Sequence, residues 1–112
     1  VIKMIWEKIK ELEEKQQQLE SQIQKLEEKL KSLPNGHLEI KEINGRKYYY
    51  LRYWEEGRLK SKYIGKNASE IESKLKQAFE LRNQLSLLKQ EKEKIDRILN
   101  RIYKIIDENI NG

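Results

Sequence analysis

The chain has 112 residues, a formal net charge of +5, 37% hydrophobic residues and 38% charged residues. That length allows one small domain, and so low an apolar fraction suits long solvated helices better than a thick globular core. The absence of cysteine excludes a disulfide framework and a thiolate zinc site.

The first 33 residues carry an unbroken alternation of three- and four-residue steps through Ile2, Ile5, Ile9, Leu12, Gln16, Leu19, Ile23, Leu26, Leu30 and Leu33. This is the a/d seam of a coiled coil and predicts a helix over 1–33. The flanking e positions 13, 20 and 27 are Glu, and the g positions 8, 15 and 29 are Lys, with Gln22 the exception. Pro34-Asn35-Gly36 stops the helix, because proline cannot continue it and glycine tolerates left-handed backbone.

Residues 37–65 read as a three-stranded antiparallel meander. Asn44-Gly45 between alternating runs is a strong hairpin signal, pairing Ile43 with Arg46, Lys41 with Tyr48 and Glu39 with Tyr50. Glu55-Glu56-Gly57 reads as a three-residue loop, pairing Trp54 with Arg58, Arg52 with Lys60 and Tyr50 with Lys62. Side chains alternate across a strand. In this register Leu38, Ile40, Tyr49, Leu51, Tyr53, Leu59 and Tyr63 share the face laid against the helices. The other face collects His37, Glu39, Lys41, Arg46, Tyr48, Tyr50, Arg52, Trp54, Arg58, Lys60 and Lys62. Shifting the second turn by one residue would flip the third strand and leave the Arg46, Tyr48, Tyr50, Arg52 row intact.

A second helix is expected over 68–109, opened by a capping box from Ser69 with Glu72 or Asn67 with Glu70, with Asn111 and Gly112 fraying. Its seam is Ala78, Leu81, Leu85, Leu88, Lys92, Ile95, Leu99, Ile102 and Ile106. The two seams fit an antiparallel hairpin in either of two registers one heptad apart. One pairs Leu33 with Ile71, Leu19 with Leu85, Leu12 with Lys92 and Ile5 with Leu99. The other pairs Leu33 with Ala78 and Leu19 with Lys92. Both put the polar seam residues Gln16 and Lys92 in neighbouring layers, where they either share a polar layer or reach solvent separately. Ile at a with Leu at d also suits a parallel two-stranded coil. The fold class expected is thus α+β: a long antiparallel coiled-coil hairpin, a stalk, with a β-meander inserted between its helices as one domain.

Two surfaces invite function. Trp6, Ile98, Tyr103, Ile105 and Ile110 flank the seam at e and g positions, a stripe too wide for two helices to cover. They are expected to form a self-association face giving a homodimer. The second surface is the meander. Residues 36–66 hold eight basic and four acidic residues, so they carry +4 of the net +5. Localised positive charge with interleaved Tyr and Trp suits a polyanion. Lys and Arg neutralise phosphates, a narrow β-ribbon fits the major groove, and aromatic rings stack on unpaired bases. Arg46, Tyr48, Tyr50, Arg52, Trp54, Arg58, Lys60, Lys62 and Lys66 are therefore the candidate nucleic-acid contacts. Lys66 leads into the second helix, whose first amides offer a further anion site.

Gly45-Arg-Lys-Tyr48-Tyr49-Tyr50-Leu51 followed by Glu56-Gly57-Arg-Leu-Lys-Ser-Lys62-Tyr63-Ile64-Gly65-Lys66 resembles the three-stranded arm-type DNA-binding domains of phage and transposon tyrosine recombinases. It also resembles short uncharacterised proteins linked to mobile elements. The recombinase resemblance implies a sheet that enters the major groove, with Arg46, Tyr48, Tyr50, Arg52, Lys60 and Lys62 in contact. The helix, hairpin, helix plan also resembles a prefoldin subunit, which implies a holdase. A coiled-coil structural or adaptor protein that pairs protein partners through the edge strands of the sheet is a further alternative.

No catalytic constellation is present. His37 is the only histidine, the only aspartates are Asp96 and Asp107, and no phosphate loop, nucleophile elbow or metal-ligand spacing occurs. A non-enzyme without cofactor, metal or small-molecule substrate is expected, with DNA favoured as partner. No apolar run reaches membrane-spanning length and the N-terminus reads as a charged helix, so no membrane partner and a cytoplasmic, nucleoid-associated location are expected. Because the chain opens on Val1, a fragment and a natural start at Met4 are both compatible with it.

Overall fold

The computed structural model describes residues 2–111, and for Asn111 the backbone alone. Val1 and Gly112, the latter part of the expected frayed end, lie outside the described residues. The elements follow in the order α1 (Ile2–Lys31), β1 (His37–Ile43), β2 (Arg46–Glu55), β3 (Arg58–Gly65) and α2 (Ser69–Asn111). The fold is α+β, an antiparallel helical hairpin whose helices flank a three-stranded sheet of order β1-β2-β3.

Helix α1 ends two residues before the expected Leu33. Pro34 pushes Leu33 out of helical backbone, and the last turn tightens instead. The Ser32 and Leu33 amides donate to the Lys29 and Leu30 carbonyls at 3.3 and 3.1 Å, the three-residue reach of a 3₁₀ turn. Helix α2 is capped differently from either expected box. Asn67 Oδ1 accepts the Ser69 amide at 3.1 Å, and the Ala68 carbonyl takes the first helical bond, from Glu72, at 2.8 Å.

The chain divides into two compact units. The first comprises residues 1–27 and 83–112, a helix pair whose interior is the heptad seam. Ile9, Leu19, Ile95 and Leu99 form its buried core, with Leu12, Leu88, Ile102 and Ile106 packed around them. Every one is an a or d position, as the heptad argument requires. The contacts decide between the two registers. Gln16 of α1 reaches Asp96 of α2, and Leu99 is 0% exposed whereas Ile5 is 53% exposed. That removes the register pairing Ile5 with Leu99 and leaves the one in which Leu19 faces Lys92.

The same register settles the polar layer. Gln16 Nε2 donates to Asp96 Oδ1 at 2.6 Å, and Lys92 Nζ donates to Asp96 Oδ2 at 2.9 Å. Gln16 and Lys92 thus share one carboxylate. The Gln16 and Lys92 hydrogen bonds hold the Asp96 pKa below its ordinary value. Its hydrogen bond to Asp96, against a smaller opposing effect of desolvation, raises that of Lys92. Across the helices Lys15 meets Glu91 at 3.7 Å and Lys89 meets Glu27 at 3.2 Å; exposed pairs of this kind contribute little energy but agree with the register.

The second unit spans residues 28–82 and contains the sheet. Leu51, Ala68, Ala78 and Leu81 are its buried apolar residues. Leu51 is the only strand residue among them, and with Tyr53 it borders a depression completed by Leu33, Pro34, Asn35 and Lys62. Gly36 lies so close to the Arg52 carbonyl that no side chain fits there, and its φ of +102° suits glycine alone. The Pro34-Asn35-Gly36 break therefore also lets the chain pass tightly against β2.

Candidate nucleic-acid interface

The first hairpin has the expected register. Ile43 pairs with Arg46, Lys41 with Tyr48 and Glu39 with Tyr50. Asn44 and Gly45, with φ of 53° and 76°, form a two-residue turn of the kind that matches strand twist.

The second hairpin departs from the expected register by one residue. Glu55 pairs with Arg58, Trp54 with Leu59, Arg52 with Ser61 and Tyr50 with Tyr63. The loop has two residues, not three: Glu56 and Gly57 both have positive φ, 51° and 75°. The primed turn matches the right-handed twist of the strands well enough to hold a glutamate in left-handed backbone. A one-residue slip moves every side chain of a strand to the opposite face, and an irregularity between Tyr49 and Tyr50 shifts the pairing by one more residue, to Tyr49 with Gly65.

The consequence is a redistribution of the candidate residues. Arg46, Tyr48, Tyr50, Arg52 and Trp54 share one face as expected. Arg58, Lys60 and Lys62 do not join them; they pair with Glu55, Tyr53 and Leu51 and stand on the Leu51 face. Leu59 and Tyr63 make the reverse move. The expected mixture of bases and rings is thereby sorted, with most rings on one side and most lysines on the other.

On the Tyr50 face the rings gather. Tyr63 lies 5.3 Å from Tyr50 and 6.4 Å from Tyr48 between centroids, tilted by 52° and 42°, an arrangement favoured by the ring quadrupoles. Lys41 Nζ sits 4.7 Å from the centre of the Tyr50 ring, within cation–π range. Arg52 Nη1 donates to Glu39 Oε2 at 2.9 Å, which neutralises one of the face's three cations. Arg46 is exposed. Farther along β2, Trp54 is 65% exposed, and Tyr63 is 52% exposed.

On the opposite face Lys60 pairs with Glu55 at 3.4 Å, while Arg58 and Lys62 are exposed. Lys66, also exposed, follows β3. The amides beyond it are poorly suited to an anion. Asn67 already takes the Ser69 amide, and Glu70 and Glu72 occupy the first turn, where the helix dipole already has its negative partners.

Sequence reasoning missed Tyr63 as a partner of Tyr50, and Asp96 as the acceptor joining Gln16 to Lys92. Both had a readable signal: Glu56-Gly57 matches Asn44-Gly45 as a two-residue turn, and Lys92 and Asp96 are four residues apart on one helix face. Among the described residues no group of three or more His, Asp or Glu side chains is placed to hold a metal. Among the described residues no helix is long and apolar enough to cross a membrane.

A family model described as "Domain of unknown function (DUF6788)" matches residues 9–73, which run from α1 through the whole sheet into α2. No curated protein matches the chain, and no solved structure does. The chain belongs to this family of unknown function.

Proposed function

We propose that this member of the family is a non-catalytic DNA-binding protein that makes contact through the Tyr50 face of its sheet. One observation carries the reading: Tyr48, Tyr50, Arg52 and Trp54 share a face with Tyr63, and Trp54 and Tyr63 are each more than half exposed. Core packing does not account for aromatic side chains left in water, and an exposed aromatic cluster beside cations is a recognition surface for a polyanion. Arg46 supplies a charge at one end of the face, and the exposed Lys62 and Lys66 supply others along β3 and just beyond it.

Binding of a fluorescently labelled short DNA, followed by anisotropy at two salt concentrations, tests this. Affinity should fall as salt rises, because phosphate contacts release counterions. Replacing Arg46 and Arg52 together should weaken binding more than replacing Lys25 and Lys29 of α1. Absence of binding to duplex and single strand alike at low salt would refute the reading.

The proposed protein is a dimer. Trp6, Ile98, Tyr103, Ile105 and Ile110 are all exposed, and Trp6, Tyr103 and Ile110 border one depression with Ile106. Tyr103 also has a role within the chain: desolvation first, and then the neighbouring Glu13 of α1, raises its pKa. The remaining apolar side chains are wider than the seam uses. They also favour a second reading, a holdase that takes unfolded clients at this end. Twice the chain mass by light scattering supports the dimer; a monomer that suppresses client aggregation supports the holdase.

A further inference from the structure

We infer that the Tyr50 face takes unpaired bases, so that its ligand is a single-stranded nucleic acid held by stacking and not a duplex entered through its groove. This rests on the nucleic-acid reading above and specifies the form of the ligand.

The argument starts from what the observed register removes. A sheet that enters a duplex groove lies between two phosphate rows and needs cations facing both. The third strand would have provided them, but Lys60 and Lys62 pair with Tyr53 and Leu51 and so stand on the opposite face. Of the cations left on the Tyr50 face, Arg52 is held by Glu39 and Lys41 lies over the Tyr50 ring. Arg46 makes no ion pair among the described residues.

The register adds rings in their place. Tyr63 joins Tyr48 and Tyr50, and Trp54 stands at the other end of the β2 row beside Leu59. Trp54 and Tyr50 are four residues apart on one strand, about 13 Å at strand rise, so the face offers two separated ring positions. A duplex hides its base faces in the stack; a single strand exposes them. Each base stacked on an aromatic side chain contributes affinity without sequence readout, and one phosphate row can be served by few cations at the border of a sheet. A face with many rings and few free charges fits the single strand on both counts.

The test compares the affinity of the full chain for labelled oligo-dT and for a mixed-sequence duplex of equal length, at the same low salt. Oligo-dT should bind more tightly. Trp54→Ala should weaken oligo-dT binding roughly 5- to 150-fold, the range given by stacking one base, and Trp54→Phe should restore most of it. Tyr63→Ala should act in the same direction, and both changes should lower the affinity for oligo-dT by a larger factor than the affinity for the duplex. Far-UV circular dichroism verifies that each variant is folded; Trp54 and Tyr63 are exposed enough for truncation to be tolerated. Tryptophan emission should be quenched by oligo-dT in the wild type and much less in Trp54→Phe. Tighter duplex binding, or oligo-dT binding indifferent to Trp54 and Tyr63, overturns the single-strand inference while the nucleic-acid reading survives. No binding of either probe overturns both.

Discussion

The seam of the helix pair, residues 1–27 and 83–112, and the strands of the unit of residues 28–82 use their apolar side chains in opposite ways. In the helix pair the aliphatic side chains Ile9, Leu19, Ile95 and Leu99 are buried together, and the polar residues at the seam are satisfied by one carboxylate. In the sheet Leu51 is the only buried strand residue, while Trp54 and Tyr63 face solvent. The seam is thus built for stability. The sheet keeps its largest side chains in reserve, and a surface of that kind is selected by what it touches.

The comparison predicts a wide gap in mutational cost. Leu99→Ala should destabilise the protein by about 2–5 kcal/mol, because it opens a cavity in a seam with no slack. Trp54→Ala, at an exposed position, should change stability by only about 0.5 kcal/mol. Urea unfolding of both variants measures the contrast, and a cost at Trp54 approaching that at Leu99 would make the tryptophan a structural residue. Gly36→Ala should fall between them, at roughly 1–3 kcal/mol, because a Cβ there collides with the Arg52 carbonyl and the backbone is left-handed. Its effect should be concentrated in the sheet, read as lost amide protection in β2 while the Leu99 region stays protected.

The effect at the polar layer depends on pH. Asp96 titrates below its ordinary value of 3.8 because Gln16 and Lys92 hydrogen-bond to its charged form. A carboxylate with a depressed folded pKa stabilises fully above its unfolded value, and the contribution is lost as pH falls through the folded value. Asp96→Asn should therefore be less stable than wild type near neutral pH, and the gap should close on acidification below 3.8. Urea midpoints of the two proteins at neutral and strongly acidic pH measure it; a gap independent of pH would mean that Asp96 acts by shape alone.

Legibility followed the range of the interactions. Both helices, the seam residues and the Asn44-Gly45 hairpin were readable, since each rests on a short repeat or a dipeptide. The Arg46, Tyr48, Tyr50, Arg52 row was readable because alternation along a single strand suffices. The placement of Lys60 and Lys62 was not. A three-residue loop at Glu55-Glu56-Gly57 and a two-residue loop at Glu56-Gly57 both fit the letters, yet they put the third strand on opposite faces. The placement of the candidate residues was therefore half legible: the β2 row shares one face, and the β3 residues stand on the opposite one.

The sequence by itself determined which residues make the seam, where the helices break and which strand carries the aromatic row, because heptad spacing, proline and strand alternation act within a few residues. The tertiary structure alone decided the heptad register, the sharing of Asp96 by Gln16 and Lys92, and the company Tyr50 keeps across the sheet. Each of these is a choice between arrangements that differ by one heptad or one residue and leave every local preference equally satisfied. They are separated only by contacts between elements: Gln16 against Asp96 in the helix pair, and the twist-matched turn that brings Tyr63 beside Tyr50.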